Sequence, residues 1–293
     1  TSKNTPHIIF SVSKSLTSLL AATLFKNMSI DLNKTVSSII PETKDTAYEN
    51  ATIRNVLDMN VASGFIEDYS GEAEIFKKYR SCTGWDLPEE ILQNIPVGLH
   101  DFLSKMPRSK FQHGKKYHYC SPNSDLLGWI TERVSGEKFY DIMSDLLFKP
   151  AGAIYLSNVT LDKWGASRSA GGISVSPYDL LSIAELVRCD GSNSNGQVIP
   201  YDWINDFKSY DDNRCYLSQD DLKRFPKGNY RSKWYQTGFD NNEICAIGIH
   251  GQNIWINPKK ELTIIRMSSA SDPINIQTEE LMFSVFKTIA ENL

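Results

Sequence analysis

Ser11-Val12-Ser13-Lys14 places a hydroxyl and an amine three residues apart at the head of an apolar run. On a helix, residues at i and i+3 share a face, so the two groups come within hydrogen-bond reach. The first turn of a helix also offers unpaired backbone N–H groups and the positive end of the dipole, which favour a developing oxyanion. A lysine serves as a base there only if burial or a neighbouring cation keeps part of it neutral. The chemistry is acyl transfer through a serine nucleophile. The four-letter spacing recurs at Ser135–Lys138 and Ser284–Lys287. Ser135 precedes Gly136 at a helix break, and Ser284 falls inside a terminal amphipathic stretch, so neither has the required setting.

The elements that must position these groups can be read from periodicity. Leu16, Leu19, Leu20 and Leu24 fall at helical spacing, and the pattern fades at Asn27. Thr52 caps a second helix over 52–59. A third starts near Ser124 with Leu126, Leu127, Ile130 and Val134 on one face; Ser135-Gly136 breaks it, and the period resumes from Phe139 to Pro150. Ser176-Pro177-Tyr178-Asp179 reads as a cap, a proline at the first position and an acid at the third, and Gly191 supplies a stop. The last third changes character: 244–249, 253–256 and 262–267 are β-rich runs separated by Asp240-Asn241-Asn242 and Asn257-Pro258, as in an antiparallel meander, and 278–293 is an amphipathic helix to cover it. The fold class expected is α/β (α+β), an antiparallel sheet flanked by helices with an inserted helical subdomain. One domain spans 1–293, with 1–28 and 200–293 in the α/β layer and 29–199 the mainly helical insertion.

The 293 residues suffice for a substantial core, and a net charge of -4 leaves no basic field to hold a phosphate backbone, which excludes a nucleic-acid binder. No apolar run reaches the roughly 18 residues of a spanning helix. Cys82, Cys120, Cys189, Cys215 and Cys245 are scattered and odd in number, so reduced thiols are expected rather than a disulfide framework or zinc site, and they favour a reducing compartment such as the cytoplasm only weakly. The chain opens on Thr1 and almost at once reaches Ser11; a processed chain or fragment, N-terminally truncated, is expected. No cofactor and no metal are expected: there is no H-E-x-x-H, and His113 and His118 stand alone, five residues apart. A G-x-S-x-G elbow is absent. A Ser-His-Asp triad stays open among the five histidines, without a local pattern to support it.

Four further segments extend the pattern. Tyr119-Cys120-Ser121-Pro122-Asn123-Ser124-Asp125 resembles the Y-x-N segment of the serine β-lactamase and penicillin-recognising enzyme superfamily. Thr52-Ile53-Arg54-Asn55-Val56-Leu57 with Ser63-Gly64 resembles that family's second helix and exit turn. Ser169-Ala170-Gly171-Gly172 is similar to its glycine loop, and His250-Gly251-Gln252 to the strand carrying its third motif. The matches are collinear from Ser11 to about Met267, and together look most like the branch of 6-aminohexanoate-dimer hydrolases, beside class C β-lactamases and related esterases. The resemblance implies an acyl-enzyme route on a small amide or ester: Ser11 attacks, Lys14 removes its proton, Tyr119 relays protons to the leaving group, and the backbone N–H groups of Ser11 and Gln252 hold the oxyanion. Ser121, Tyr69, His250 and Gly251 are the implied substrate-binding residues, with Ser121 bonding Lys14. Ser121 stands where the family usually has Asn, and Lys-Thr-Gly is missing from the third motif, which counts against strong β-lactamase activity; a weak β-lactamase or D-amino-acid peptidase is a further alternative. Glu67, Asp68 and Tyr69 either bind a substrate ammonium or are solvated loop residues, and His250 is either catalytic or a hydrogen-bonded strand histidine. Gly171 and Gly172 relieve a tight backbone approach. The rival class is a catalytically silent ligand-binding or assembly module, which has no need to keep Ser11, Lys14 and Tyr119 together. A homodimer is the expected assembly.

Overall fold

A computed structural model describes residues 2–85, 96–209, 217–239 and 242–293. Helix α1 (Val12–Asn27) is buried nearly all round: Leu16, Leu19 and Leu20 are accompanied by Ser13, Lys14, Ser15, Thr17 and Ser18. A helix with no solvent face is a core helix, and here it is the axis of the molecule. On one side it meets α5 (Ser121–Ser135), on the other the five-stranded sheet.

That sheet is an antiparallel meander of β6 (Asn229–Arg231), β7 (Trp234–Gln236), β8 (Ile244–Gly248), β9 (Gln252–Asn257) and β10 (Leu262–Arg266), in the spatial order β10-β9-β8-β7-β6. The three expected runs are β8 to β10. Strands β6 and β7 are three residues each, too short to show alternation, and were not anticipated. Asn257-Pro258 opens the β9–β10 turn as read; Asp240 and Asn241 lie outside the described residues. Helix α10 (Ile276–Glu291) starts two residues before Thr278 because Asn275 accepts the Thr278 N–H as its cap. It lays Met282, Phe283, Phe286 and Ala290 on the sheet, with the Phe286 ring 5.8 Å from that of Trp255. The opposite face of β9 and β10 is covered by α7 (Pro177–Arg188), capped by Ser176 with Pro177 at its first position.

Helices α2 (Ile53–Leu57), α3 (Glu74–Cys82), α4 (Leu99–Leu103), α5 and α6 (Phe139–Met143) lie within the 29–199 stretch. Thr52 and Asn55 close a reciprocal capping box on α2. Gly136, at φ 77°, ends α5 where the break was read. Strand β1 (His7–Ile8), just before α1, pairs with β3 (Ile173–Val175), which pairs with β2 (Asn158–Val159); the N-terminal strand thus joins the insertion and not the main sheet. Cys82, Cys120, Cys189 and Cys245 are unpaired, and Cys215 falls outside the described residues. Among the described residues no helix is long and apolar enough to cross a membrane.

Candidate active site

The chain reaches α1 through a tight turn in which Phe10 takes φ 44°, and Ser11 (φ −65°) is already helical as the cap residue. The turn aims the Ser11 side chain out of the helix end. One turn on, Lys14 Nζ donates to Ser11 Oγ at 2.7 Å and to the Ala170 carbonyl at 2.8 Å. Tyr119, on the segment entering α5, lies with its ring centroid 5.2 Å from Lys14 Nζ and lines the same cleft as Ser11. Three groups from two distant segments share one cleft.

Their protonation follows from burial. Lys14, 2% exposed, has its pKa lowered to about 8, because desolvation penalises the ammonium more than Glu67 stabilises it, with Arg168 adding repulsion. The Tyr119 phenol is pushed well above its ordinary value, first by burial and then by Glu67, against the opposing pull of the Ser11 hydroxyl. At neutral pH it is therefore a neutral donor and acceptor. It does not begin as a phenolate.

Ser121 belongs to this site with a different partner from the one expected. Its N–H donates to Glu67 Oε2 at 2.8 Å and its hydroxyl to Glu67 Oε1 at 2.6 Å, so it anchors a carboxylate instead of reaching Lys14. The reason is placement: at the first turn of α5 both its donors point toward the 64–70 loop. Tyr69 donates to the same Glu67 Oε1 at 2.7 Å. Asp68 turns away from the cleft and accepts from Ser70, Glu72 and Ala73, as a loop organiser.

The strand edge facing Ser11 is the end of β8. A Cβ on Gly248 would sit 2.6 Å from the Ile9 carbonyl and 3.2 Å from the Ser11 nitrogen, so only glycine lets the two backbones come this close. The next residue, Ile249, lines the cleft. Gln252 does not: it pairs with Gly248 across the hairpin, and its side chain donates to Ser268 O at 2.6 Å and accepts from Ser268 N at 3.1 Å. Ile249, three residues earlier, is the residue that follows the Gly248 approach to Ser11 and lines the cleft. His250 is likewise turned outward, with φ 60°, its Nδ1 2.8 Å from Ala270 O and its ring against Phe10. Gly251, at φ 85°, makes the hairpin turn beside Arg266.

Behind Lys14 stands a network that the sequence did not announce. Asp125 accepts from Ala170 N at 2.7 Å, from Arg168 Nη1 at 2.7 Å and from the Tyr79 hydroxyl at 2.5 Å. It thereby fixes the residue whose carbonyl holds the Lys14 amine. The Gly172 backbone passes so close to Arg168 and Thr160 that a side chain would collide, as the glycine loop requires. The cleft itself has a volume of about 210 Å³. Its far wall is Tyr235 of β7, Asp221 and Arg224 of α9 (Gln219–Arg224), and Glu279 of α10, with Arg224 Nε 3.1 Å from Glu279 Oε2. Burial raises the Glu279 carboxyl above its ordinary pKa, against the pull of Arg224.

Comparison with known proteins agrees with this architecture. A 6-aminohexanoate-dimer hydrolase of Paenarthrobacter ureafaciens is 29% identical over 267 residues, covering 91% of this chain and 67% of that protein. A candidate 6-aminohexanoate-dimer hydrolase from Bacillus anthracis superposes with a TM-score of 0.89 at 19% identity, over 99% of this chain and 74% of the other. A family VIII carboxylesterase superposes at 0.67 with 12% identity, over 97% and 84%. These two structures share the fold. The sequence pattern of the beta-lactamase family matches residues 1–287, and the chain belongs to that family.

Proposed function

We propose that the protein is a serine hydrolase that cleaves small linear amides or esters through an acyl-enzyme. Ser11 Oγ attacks the carbonyl carbon as its proton passes to Lys14 Nζ, and the carbonyl oxygen becomes an oxyanion held by the N–H groups of Ser11 and Ile249. Collapse breaks the bond to the leaving group, which takes a proton through Tyr119, itself resupplied from Lys14. Water then attacks the acyl-enzyme with its proton moving along the same groups, and the acid leaves. The observation that carries this reading is the 2.7 Å contact between Lys14 Nζ and Ser11 Oγ at a helix N-terminus, with the Tyr119 ring on the same cleft 5.2 Å from that amine.

The wall chemistry favours an amine-bearing substrate such as an ω-amino-acid oligomer: Glu67, Asp221 and Glu279 outnumber Arg224 around the cleft. The P. ureafaciens relative bears a name of the same substrate class. Strong β-lactam hydrolysis is disfavoured, since His250 at the third-motif position is bonded to Ala270 and faces away.

A fluorophosphonate probe read by intact-mass spectrometry tests the assignment. One adduct is expected, lost in Ser11→Ala together with p-nitrophenyl ester turnover. Ser284→Ala, exposed on α10, leaves both unchanged. Full turnover in Ser11→Ala would falsify the reading, and absence of any adduct on folded protein would favour the silent module. Release of free amine from short ω-amino-acid oligomers separates the amidase from an esterase.

A further inference from the structure

Two ring-bearing residues hold positive φ, and each is the immediate neighbour of a backbone N–H proposed above to bind the oxyanion. Phe10, at φ 44°, precedes Ser11; His250, at φ 60°, follows Ile249. An L side chain in this region crowds its own backbone, so glycine and asparagine are the usual occupants. A bulky ring persists there only where its surroundings fix it.

The fixing contacts can be named. The Phe10 carbonyl accepts from Ser13 N at 2.9 Å, and Ile9 before it donates to Ile173 O at 3.0 Å. His250 is tied to the 270–273 segment: its N–H donates to Pro273 O at 2.9 Å, its carbonyl accepts from Ala270 N at 3.3 Å, and its Nδ1 lies 2.8 Å from Ala270 O. The two rings meet each other, with centroids 5.1 Å apart and planes at 45°. Trp85, just beyond α3, takes the Phe10 ring edge-on at 5.7 Å. Its own ring lies 5.2 Å from the Arg168 guanidinium, which Asp125 holds at 2.7 Å. Among the described residues no hydrogen bond joins 9–11 to 248–250. The two segments pass each other at Gly248, which has no side chain to set their distance. The contact between the Phe10 and His250 rings is the bridge that spans them.

We propose that Phe10 and His250 are positioning residues for the oxyanion: their ring contact, backed by Trp85, fixes the spacing between the Ser11 and Ile249 N–H groups. The inference rests on the serine-hydrolase reading given above, with Ile249 as the second donor. Neither ring lines the cleft, so each acts through its neighbour's backbone. Oxyanion donors must lie about 2.7–3.1 Å from the oxygen as it becomes charged. A small slip of either segment therefore weakens the hold on the transition state and leaves substrate binding alone.

Phe10→Asn and His250→Asn each keep a residue that tolerates positive φ and remove one ring. Each should lower kcat for a p-nitrophenyl ester roughly ten- to hundredfold, with KM held within about twofold. Affinity for a trifluoromethyl ketone, whose adduct with Ser11 carries the oxyanion, should weaken by a similar factor. The variant carrying both changes should lose no more than the worse single one, since either change breaks the same contact. Losses that multiply, a loss confined to KM, or an unmoved kcat in either folded variant overturns the proposal. Should neither variant fold, Trp85→Leu leaves both backbone segments untouched; it should lower kcat roughly three- to tenfold, and an unmoved kcat overturns the proposal. Ser11→Ala is run alongside. Turnover that survives in it sinks the hydrolase reading itself, whereas full dependence on Ser11 with unmoved kcat in the ring variants overturns this inference alone.

Discussion

The two sides of the cleft are built differently. On the reaction side, Ser11 and Lys14 are one helical turn apart and Tyr119 and Ser121 lie at the entrance to α5, with short hydrogen bonds joining Lys14 to Ser11 and Ala170, and Ser121 to Glu67. On the far side, Asp221, Arg224 and Glu279 come from two separate helices, and Arg224 meets Glu279 at 3.1 Å. On the proposed reading, the geometry of the first side sets the barrier and the charge of the second sets what enters. Activity should respond to the two in different parameters.

The largest effect is expected at Lys14. Lys14→Met should lower kcat for ester hydrolysis by roughly a thousandfold or more with little change in KM, since the base acts only in the transition state; a loss confined to KM would erase the distinction between the two sides. Next is Tyr119→Phe, at roughly a hundredfold on an amide. The loss should be much smaller on a p-nitrophenyl ester, whose leaving group departs without a proton. Equal losses on both would show that the phenol does not serve the leaving group.

The pH profile comes third. As the proposed base, Lys14 would act in its neutral form, so activity should be low below its folded pKa and rise with pH through about 8. A profile flat from pH 6 to about 9 would mean that another group takes the proton. The smallest effect is expected on the far wall: Glu279→Gln should change KM for an amine-bearing substrate by roughly two- to tenfold while kcat on a neutral ester holds. Parallel losses of kcat on both substrates would place Glu279 in the chemistry and dissolve the comparison.

How much could be read in advance follows the same division. Helix α1, the capping box at Thr52, the Pro177 start and the Gly136 stop are local events, set within three or four residues, and the chain announces each of them. Strands β6 and β7 are three residues long, below the length at which alternation can be seen, and the hairpin that buries Lys233 went unread with them. Ser121 was expected to meet Lys14, but its donors are taken by Glu67, more than fifty residues away, and no local pattern records such a pairing. Gln252 was favoured for the oxyanion because motif spacing fixes a strand but not the residue at which it passes the nucleophile. The Gly248 approach to Ser11 is what leads us to propose Ile249 for that role.

The sequence by itself determined the groups whose relation is local: a hydroxyl and an amine on one face of a helix, its apolar surroundings, the turns that start and stop the elements, and a third-motif segment without its usual lysine. Only the tertiary structure decided that Glu67 is the carboxylate facing that helix, that Asp125 braces the carbonyl holding Lys14, and that a second amine, Lys233, lies buried against the same helix. The reason is that backbone geometry dictates contacts within a turn, whereas contacts across the chain depend on how whole elements pack, and on the burial that packing imposes on their charges.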